Sequence, residues 1–255
     1  MENNRISEGD CLVAITASLH KGEGFRHLWV GYTGFGKTVA NSILCQYLRD
    51  FSKMVVIVVD QKNKRCIYDG TQVVGNDDIS KVKDRAVIIR GAAITKKATD
   101  IAVFDSIARD VWAIAQNTDT MICLSPDELM DAATNGQAWK SPLLERRYYS
   151  DTQKRIVTER YKDPWMDKLY RQGRVMGISV PAATQLVSEV PPSVLGMSET
   201  KGIFRQRGRE LAYLERLGVI EKKSSEIVAN LEIGEFLFTK QGQNDMVCKF
   251  DYDGS

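Results

Sequence analysis

The residues from Gly31 to Thr38 have the types and the spacing of a phosphate-binding loop. Their sequence, Gly-Tyr-Thr-Gly-Phe-Gly-Lys-Thr, fits the pattern G-x-x-x-x-G-K-[ST]. Glycines let successive backbone N–H groups surround an anion, while the lysine supplies a cation and the hydroxyl a Mg²⁺ ligand. We therefore predict a nucleoside triphosphate site in which Lys37 reaches the β- and γ-phosphates and Thr38 holds Mg²⁺. The predicted nucleotide-binding residues are Gly31, Thr33, Gly34, Phe35, Gly36, Lys37, Thr38 and Val39.

A second candidate site follows the apolar run Thr120–Leu124, where the chain continues as Ser-Pro-Asp-Glu. Triphosphate hydrolysis needs one carboxylate near the magnesium ion and another that polarises the attacking water. We assign these roles to Asp127 and Glu128, in that order. Because Ser125-Pro126 separates the apolar run from the pair, the alternative is that the two acids form the first turn of a helix. Asp60, which ends another apolar run, is a weaker candidate for an acidic role.

Apolar patterning places the glycine-rich loop between a strand and a helix. Phe25–Val30 predicts the strand, and the spacing of apolar residues in Val39–Phe51 predicts a core-facing helix. Met54–Val59 is continuously apolar and β-branched, which is typical of a strand buried on both faces of a parallel sheet. Further predicted elements are a helix at Thr99–Gln116 and strands at Ala86–Ile89, Thr120–Leu124, Val175–Val180, Phe236–Lys240 and Met246–Phe250. This alternation indicates an α/β fold, with a mainly parallel sheet flanked by helices.

The composition is that of a folded chain with a substantial core. It has 255 residues, of which 43% are hydrophobic and 27% charged, and this excludes a mostly disordered chain. We expect an N-terminal extension over residues 1–24 and a single domain over residues 25–255. No run approaches the roughly 20 apolar residues that cross a bilayer, so we expect a cytoplasmic protein. Five scattered cysteines indicate buried thiols in a reducing compartment rather than a zinc site.

The segment from Gln137 to Arg174 is basic and rich in aromatic residues. It contains ten Lys or Arg and five acidic residues, a net +5, although the whole chain carries only +2. Positive charge attracts phosphates of any sequence, and aromatic rings can stack on bases or sugars. We expect this segment to be largely helical after Asp151, either as a solvated helix or as a nucleic-acid contact. The predicted contact residues are Lys140, Arg146, Arg147 and Tyr148, with Tyr149 nearby.

Taken in order, these motifs resemble those of the HerA/FtsK superfamily of ring-forming ATPases. The loop has the form G-x-T-G-x-G-K-[ST], and Asp60-Gln61-Lys62 is similar to the family's Asp-x-Lys after its second strand. Asp127-Glu128 is similar to the family's acidic pair, and Thr184-Gln185 resembles its strand that ends in a polar sensor. The resemblance extends from about Phe25 to Thr239 and implies a RecA-like P-loop NTPase core.

The resemblance also implies an activity and partners. It implies Mg²⁺-dependent ATP hydrolysis coupled to movement of DNA, in a homo-oligomeric ring that is hexameric or pentameric. Gln185 would detect the γ-phosphate, and an arginine of the neighbouring subunit would complete each site. Arg171 and Arg174 are the candidates for that arginine, and Arg205 is a second choice. The small size resembles genome-packaging ATPases of tailless viruses with an internal membrane, which implies host cytoplasm or virion and a viral portal or membrane protein as partner.

Two other functions are compatible with the glycine-rich loop. A small-molecule P-loop kinase would use the basic segment as a lid, although it leaves Glu128 and Gln185 without a role. An NTP-dependent switch would alter a protein partner and hydrolyse its nucleotide slowly. Hydrolysis stimulated by DNA distinguishes the motor from both alternatives.

Overall fold

The computed structural model describes residues 5–52, 54–60, 71–74, 86–90, 97–126, 144–150, 155–161, 165–190 and 192–250. Its strands are Arg5–Ile6 (β1), Arg26–Val30 (β2), Val55–Asp60 (β3), Thr71–Val74 (β4), Ala86–Arg90 (β5), Ile122–Pro126 (β6), Leu144–Ser150 (β7), Arg155–Tyr161 (β8), Ile178–Thr184 (β9), Thr200–Phe204 (β10), Glu235–Lys240 (β11) and Met246–Lys249 (β12). Its helices are Glu8–Thr16 (α1), Lys37–Phe51 (α2), Lys97–Asn117 (α3), Trp165–Gln172 (α4), Pro192–Met197 (α5), Gly208–Arg216 (α6) and Lys222–Asn230 (α7).

Among the described residues, ten strands form one sheet in the spatial order β1-β12-β11-β10-β2-β9-β6-β3-β5-β4. Neighbouring strands are parallel throughout, except that β11 runs antiparallel to both β10 and β12. The remaining two strands, β7 and β8, pair with each other as an antiparallel hairpin. The predicted α/β fold with a mainly parallel sheet is therefore confirmed.

Helices cover both faces of this sheet because alternate strand residues point to opposite sides. On one face, Leu28 and Val30 of β2 belong to a buried cluster that includes residues of α3 and α4. On the other face, Trp29 belongs to a second cluster that includes residues of α1 and α2. Every residue of β2 is buried, which is why its sequence is apolar without polar alternation over most of its length.

Two segments differ from the sequence-based expectation. The region after Asp151 was expected to be largely helical, but residues Arg155–Tyr161 form β8, and the α-helix among the described residues of this region is Trp165–Gln172. The run Ile-Val-Thr within β8 consists of β-branched residues, which favour a strand paired with β7 over a helix. The strand expected at Val175–Val180 begins instead at Ile178, because the preceding short 3₁₀ turn ends at Gly177 with φ +71°.

The segment before residue 25 contributes to the same sheet and core. Strand β1 pairs parallel with β12, and Cys11 and Ile15 of α1 lie buried in the cluster that surrounds Trp29. The expectation of buried thiols is confirmed for the described cysteines, which are unpaired and buried: Cys11, Cys45, Cys123 and Cys248. Of the helices in the described ranges, none is long and apolar enough to span a membrane.

Candidate nucleotide site

The predicted phosphate-binding loop lies where the parallel sheet presents the carboxyl ends of its strands. Strand β2 leads into the loop at Gly31, and α2 begins at Lys37. The Gly31 N–H donates to Thr184 O of β9 at 3.2 Å, and the Tyr32 N–H donates to Arg205 O beyond β10 at 3.4 Å. The loop is thus anchored to both strands that flank β2. Crevices at the carboxyl ends of parallel strands are where ligands of open α/β sheets bind.

The loop can surround an anion because of its glycines. Gly34 and Gly36 have φ values of +86° and +104°, a region that residues with a side chain rarely adopt. A Cβ atom on Gly31 would lie 2.5 Å from Cβ of Phe204, so the close approach of the loop to β10 also requires glycine. Gly36 is the N-cap of α2 and provides no side-chain cap. The first N–H groups of α2 are therefore available to a phosphate.

Lys37 provides the positive charge of this site. Its side chain is buried, with 7% of the residue exposed. The ammonium donates to Gly31 O at 2.6 Å and to Tyr32 O at 2.9 Å, so it lies within the curve of the loop. An ammonium in this position lies close to any phosphate that enters the curve of the loop.

Gln185, the predicted sensor, contacts the loop directly. The Thr33 hydroxyl donates to Gln185 Oε1 at 2.7 Å, across 152 positions of sequence. Gln206, which follows β10, is fully buried and donates from Nε2 to Gln185 O at 3.4 Å. Sequence reasoning missed Gln206. An amide two positions after the apolar end of β10 was the signal that could have indicated it.

The acidic pair is closer to a strand end than the sequence indicated. Strand β6 continues through Ser125 and Pro126, which are opposite Val58 and Val59 of β3. The strand expected at Thr120–Leu124 thus ends two residues later than predicted, because the ladder with β3 extends through both residues. Asp127 and Glu128 lie outside the described residues, and they occupy the two sequence positions directly after β6.

Helix α2 is tied to this end of β6 by a buried polar contact. Asn41 has no exposed surface and donates from Nδ2 to Ser125 Oγ at 2.8 Å. Sequence reasoning did not single out Asn41, whose signal was an amide on the apolar face of a helix. Asp60, the weaker acidic candidate, is the last residue of β3 and so belongs to the same edge of the sheet.

The candidate arginines occupy opposite edges of the sheet. Arg171 ends α4 and Arg174 follows it, so both precede β9 and lie at the amino ends of the parallel strands. Arg174 donates to Glu23 at 2.7 Å and to Glu199 at 2.5 Å. A phosphate in the loop of the same chain is at the other edge. The position of both arginines before β9 thus places them away from the glycine-rich loop of their own chain.

Arg205, the second choice, lies beside the loop of its own chain. Its guanidinium carbon is 5.6 Å from the centre of the Phe35 ring, and its Nε–H donates to Ala229 O at 3.0 Å. Since Phe35 belongs to the phosphate loop, Arg205 links that loop to the end of α7.

The predicted nucleic-acid contacts fall on and before the hairpin. Arg146, Arg147 and Tyr148 lie in β7, where their partners in β8 are Glu159, Thr158 and Val157. Lys140 lies outside the described residues. In the chain, the hairpin comes after the acidic pair and before α4.

A glycine-rich loop at a strand–helix junction of a parallel sheet, with a buried lysine and a polar strand end beside it, defines the fold of a P-loop ATPase. Neither the family models nor the curated proteins contain a match to this chain. Solved structures do show the same fold, at low sequence identity.

The genome packaging NTPase B204 of Sulfolobus turreted icosahedral virus 2, in complex with AMPPCP, is 16% identical with a TM-score of 0.66, over 90% of this chain and 99% of that one. VirB4 of Thermoanaerobacter pseudethanolicus is 10% identical with a TM-score of 0.64, over 90% of both chains. ATPases 2 and 3 of EssC from Geobacillus thermodenitrificans are 12% identical with a TM-score of 0.51, over 92% of this chain and 41% of that one. These likenesses confirm the predicted fold, which this chain shares with a genome packaging NTPase and with VirB4.

Proposed function

We propose that this protein hydrolyses ATP to move double-stranded DNA, as a viral genome-packaging motor that works in a homo-oligomeric ring. The observation that carries the proposal is the 2.7 Å hydrogen bond from Thr33 of the phosphate loop to Gln185 at the end of β9. This hydrogen bond connects the phosphate loop to the side-chain amide of the residue that follows β9. A loop that only bound a nucleotide would not require such an amide. The fold shared with the packaging NTPase B204 supports the same function.

ATP would bind with its phosphates against the N–H groups of Gly34 to Thr38. Lys37 would exchange the carbonyls of Gly31 and Tyr32 for the β- and γ-phosphate oxygens. Thr38 in the first turn of α2 and Asp127 directly after β6 offer hydroxyl and carboxylate oxygens, the ligand type that Mg²⁺ prefers. The bound ion would neutralise charge on the β- and γ-phosphates.

Hydrolysis would use Glu128 and Gln185. Glu128 would accept a proton from the attacking water, and the Gln185 amide would orient that water or bind the γ-phosphate. In the structure the Gln185 side-chain carbonyl accepts from the Thr33 hydroxyl. Occupation of the γ-phosphate position would compete for this amide, so Gln185 would respond to the state of the nucleotide.

A ring would complete the site with Arg171 or Arg174 of a neighbouring subunit. Their position at the amino edge supports this role, because a head-to-tail ring brings that edge of one subunit to the loop of the next. Arg174 would then leave Glu23 or Glu199 to stabilise charge on the transferred phosphoryl group.

DNA would contact the region of the β7–β8 hairpin through Lys140, Arg146, Arg147 and Tyr148. The net charge of +5 over residues 137–174 supports an attraction to phosphates that does not depend on base sequence. The motor would act in the host cytoplasm or on the virion, where a viral portal or membrane protein would be its docking partner.

ATP hydrolysis measured with and without double-stranded DNA tests this function. We expect stimulation by DNA that decreases with rising salt concentration, and loss of stimulation when Lys140, Arg146 and Arg147 are all changed to alanine. Light scattering with ATP and DNA present should show an oligomer. Phosphate transfer to a small molecule instead of water would favour the kinase. ATP binding with slow turnover that DNA does not accelerate would favour the switch.

A further inference from the structure

The turn between α7 and β11 lies against the phosphate loop. The Gly234 N–H donates to Phe35 O at 3.2 Å. A Cβ atom on Gly36 would lie only 3.4 Å from the Gly234 Cα, so the two backbones approach closely. Any nucleotide in the loop that extends toward β11 must therefore pass this turn.

Ile233, in the same turn, is exposed in a way that folding does not explain. It is 69% exposed, whereas Leu231, two positions earlier, is only 3% exposed and belongs to the core. A large apolar side chain in water beside a ligand site is a candidate contact for an apolar part of the ligand. Across the loop, the Arg205 guanidinium lies over the Phe35 ring and adds a flat, cationic surface.

The topology separates the two ends of a bound nucleoside triphosphate. Gln185 and the acidic pair follow β9 and β6, on one side of β2, and the γ-phosphate and the attacking water would face them. Strands β10 and β11 are on the other side of β2. The ribose and the base would leave the loop toward that side, where Arg205 and Ile233 lie.

We propose that Ile233, together with Phe35 and Arg205, forms the surface that contacts the nucleobase. The inference rests on the proposed function, because it assumes that a nucleoside triphosphate occupies the loop. Contact with the flat face of the base would be apolar and cation–π in character. Two polar side chains of the same segment are already engaged, since Asn230 donates to Glu226 O at 2.9 Å and Glu235 accepts from the Glu232 N–H at 3.1 Å.

The experiment compares the binding of ATP with that of inorganic tripolyphosphate, which has no base, by calorimetry in one magnesium buffer. We expect I233A to weaken ATP binding roughly tenfold and to leave tripolyphosphate binding unchanged. We expect I233F to restore ATP binding, because an aromatic ring can stack on the base. V13A is the matched control, since Val13 is a 51% exposed aliphatic residue on α1, and it should bind both ligands like the wild type.

Three outcomes would overturn the proposal. Wild-type affinity of I233A for ATP would show that the base does not touch this residue. Equal weakening of ATP and tripolyphosphate would show that Ile233 supports the phosphate loop instead. If the wild-type protein binds neither ATP nor tripolyphosphate, the proposed function fails, and this inference fails with it. That result can be distinguished from the first two because it is seen without any substitution.

Discussion

The two edges of the parallel sheet hold their cations in different ways. At the carboxyl edge, the Lys37 ammonium is held by two neutral carbonyls, and Thr33 and Gln185 bond to each other. At the amino edge, Arg174 is paired with Glu23 and Glu199. At the carboxyl edge the lysine thus donates to the backbone of the glycine-rich loop at the start of α2, whereas at the amino edge the arginine donates to two carboxylates.

A cavity at the amino edge differs in its charges from the glycine-rich loop. A cavity of about 970 Å³ lies at the amino edge, where it is lined by residues such as Lys201, Leu217, Ile227, Lys240 and Asp245. The Lys201 ammonium donates to Ser198 O at 2.6 Å, and Asp245 accepts from Ser224 at 2.7 Å. Lysines and carboxylates line this cavity together, whereas in the glycine-rich loop the Lys37 ammonium donates to two backbone carbonyls.

Removing the Lys37 ammonium from the glycine-rich loop should have the largest effect. We expect K37A to lower ATP hydrolysis by about 10³-fold, since the phosphates lose their buried positive partner. K201A is the control at the other edge, where a partly buried lysine also donates to a backbone carbonyl. Steady-state kinetics should show near wild-type hydrolysis for K201A. If K37A and K201A lost comparable ATP hydrolysis, the lysine at the carboxyl edge would have no special role in the reaction.

Arg174 at the amino edge should act on ATP hydrolysis in a neighbouring subunit rather than in its own. We expect R174A to lower hydrolysis by about 10³-fold. Mixing R174A with K37A subunits should restore part of the activity, because a K37A subunit can donate Arg174 to an intact loop. Exposed ion pairs contribute little stability, about 0–1 kcal/mol, so the melting temperature should change only slightly. No recovery in the mixture would contradict a role for Arg174 between subunits.

Substitution of Gln185 tests whether its side-chain amide, directly after β9, takes part in ATP hydrolysis. We expect Q185A to lower kcat roughly 10²-fold with little change in the KM for ATP, because the amide acts on the γ-phosphate or the water. T33V removes the hydroxyl that donates to Gln185 and should retain most of the hydrolysis. A raised KM with unchanged kcat in Q185A would instead indicate a role in binding only.

The smallest effect concerns stability at the amino end of β2. His27 is fully buried, and this burial, with a smaller contribution from Lys201, lowers its pKa from 6.5 to about 3. Below pH 6.5, His27 therefore binds a proton in the unfolded chain but not in the folded chain. The free energy of unfolding consequently falls as the pH decreases toward 3. We expect a loss of about 2 kcal/mol between pH 7 and pH 5 in urea unfolding.

H27N should remove most of that pH dependence while retaining a polar partner for Thr200, which lies 2.7 Å from His27 Nδ1. The exposed His20 provides the control, and H20N should unfold with the pH dependence of the wild type. An unchanged pH dependence in H27N would assign the effect to other groups.

The sequence by itself determined the glycine-rich loop, the succession of the main strands along the chain and the mainly parallel type of sheet. These features are local: Gly31 to Thr38 contains its own chemistry, and runs such as Met54–Val59 indicate burial on both faces without knowledge of their neighbours. The residues after Asp151 were harder to predict, because charges interrupt the pattern of β8. Its pairing with β7, rather than its own periodicity, made it a strand.

Only the tertiary structure decided which distant groups meet at the site. The contacts of Thr33 with Gln185 and of Arg205 with Phe35 and Ala229 join positions that no local pattern relates. The continuation of β6 through Pro126 likewise depends on its ladder with β3. The direction of the strands placed Arg171 and Arg174 at the edge opposite the loop, because both residues precede β9 and β9 runs parallel to β2. Sequence spacing specifies chemistry within a turn or a strand, whereas the register and direction of the strands decide which ends lie together.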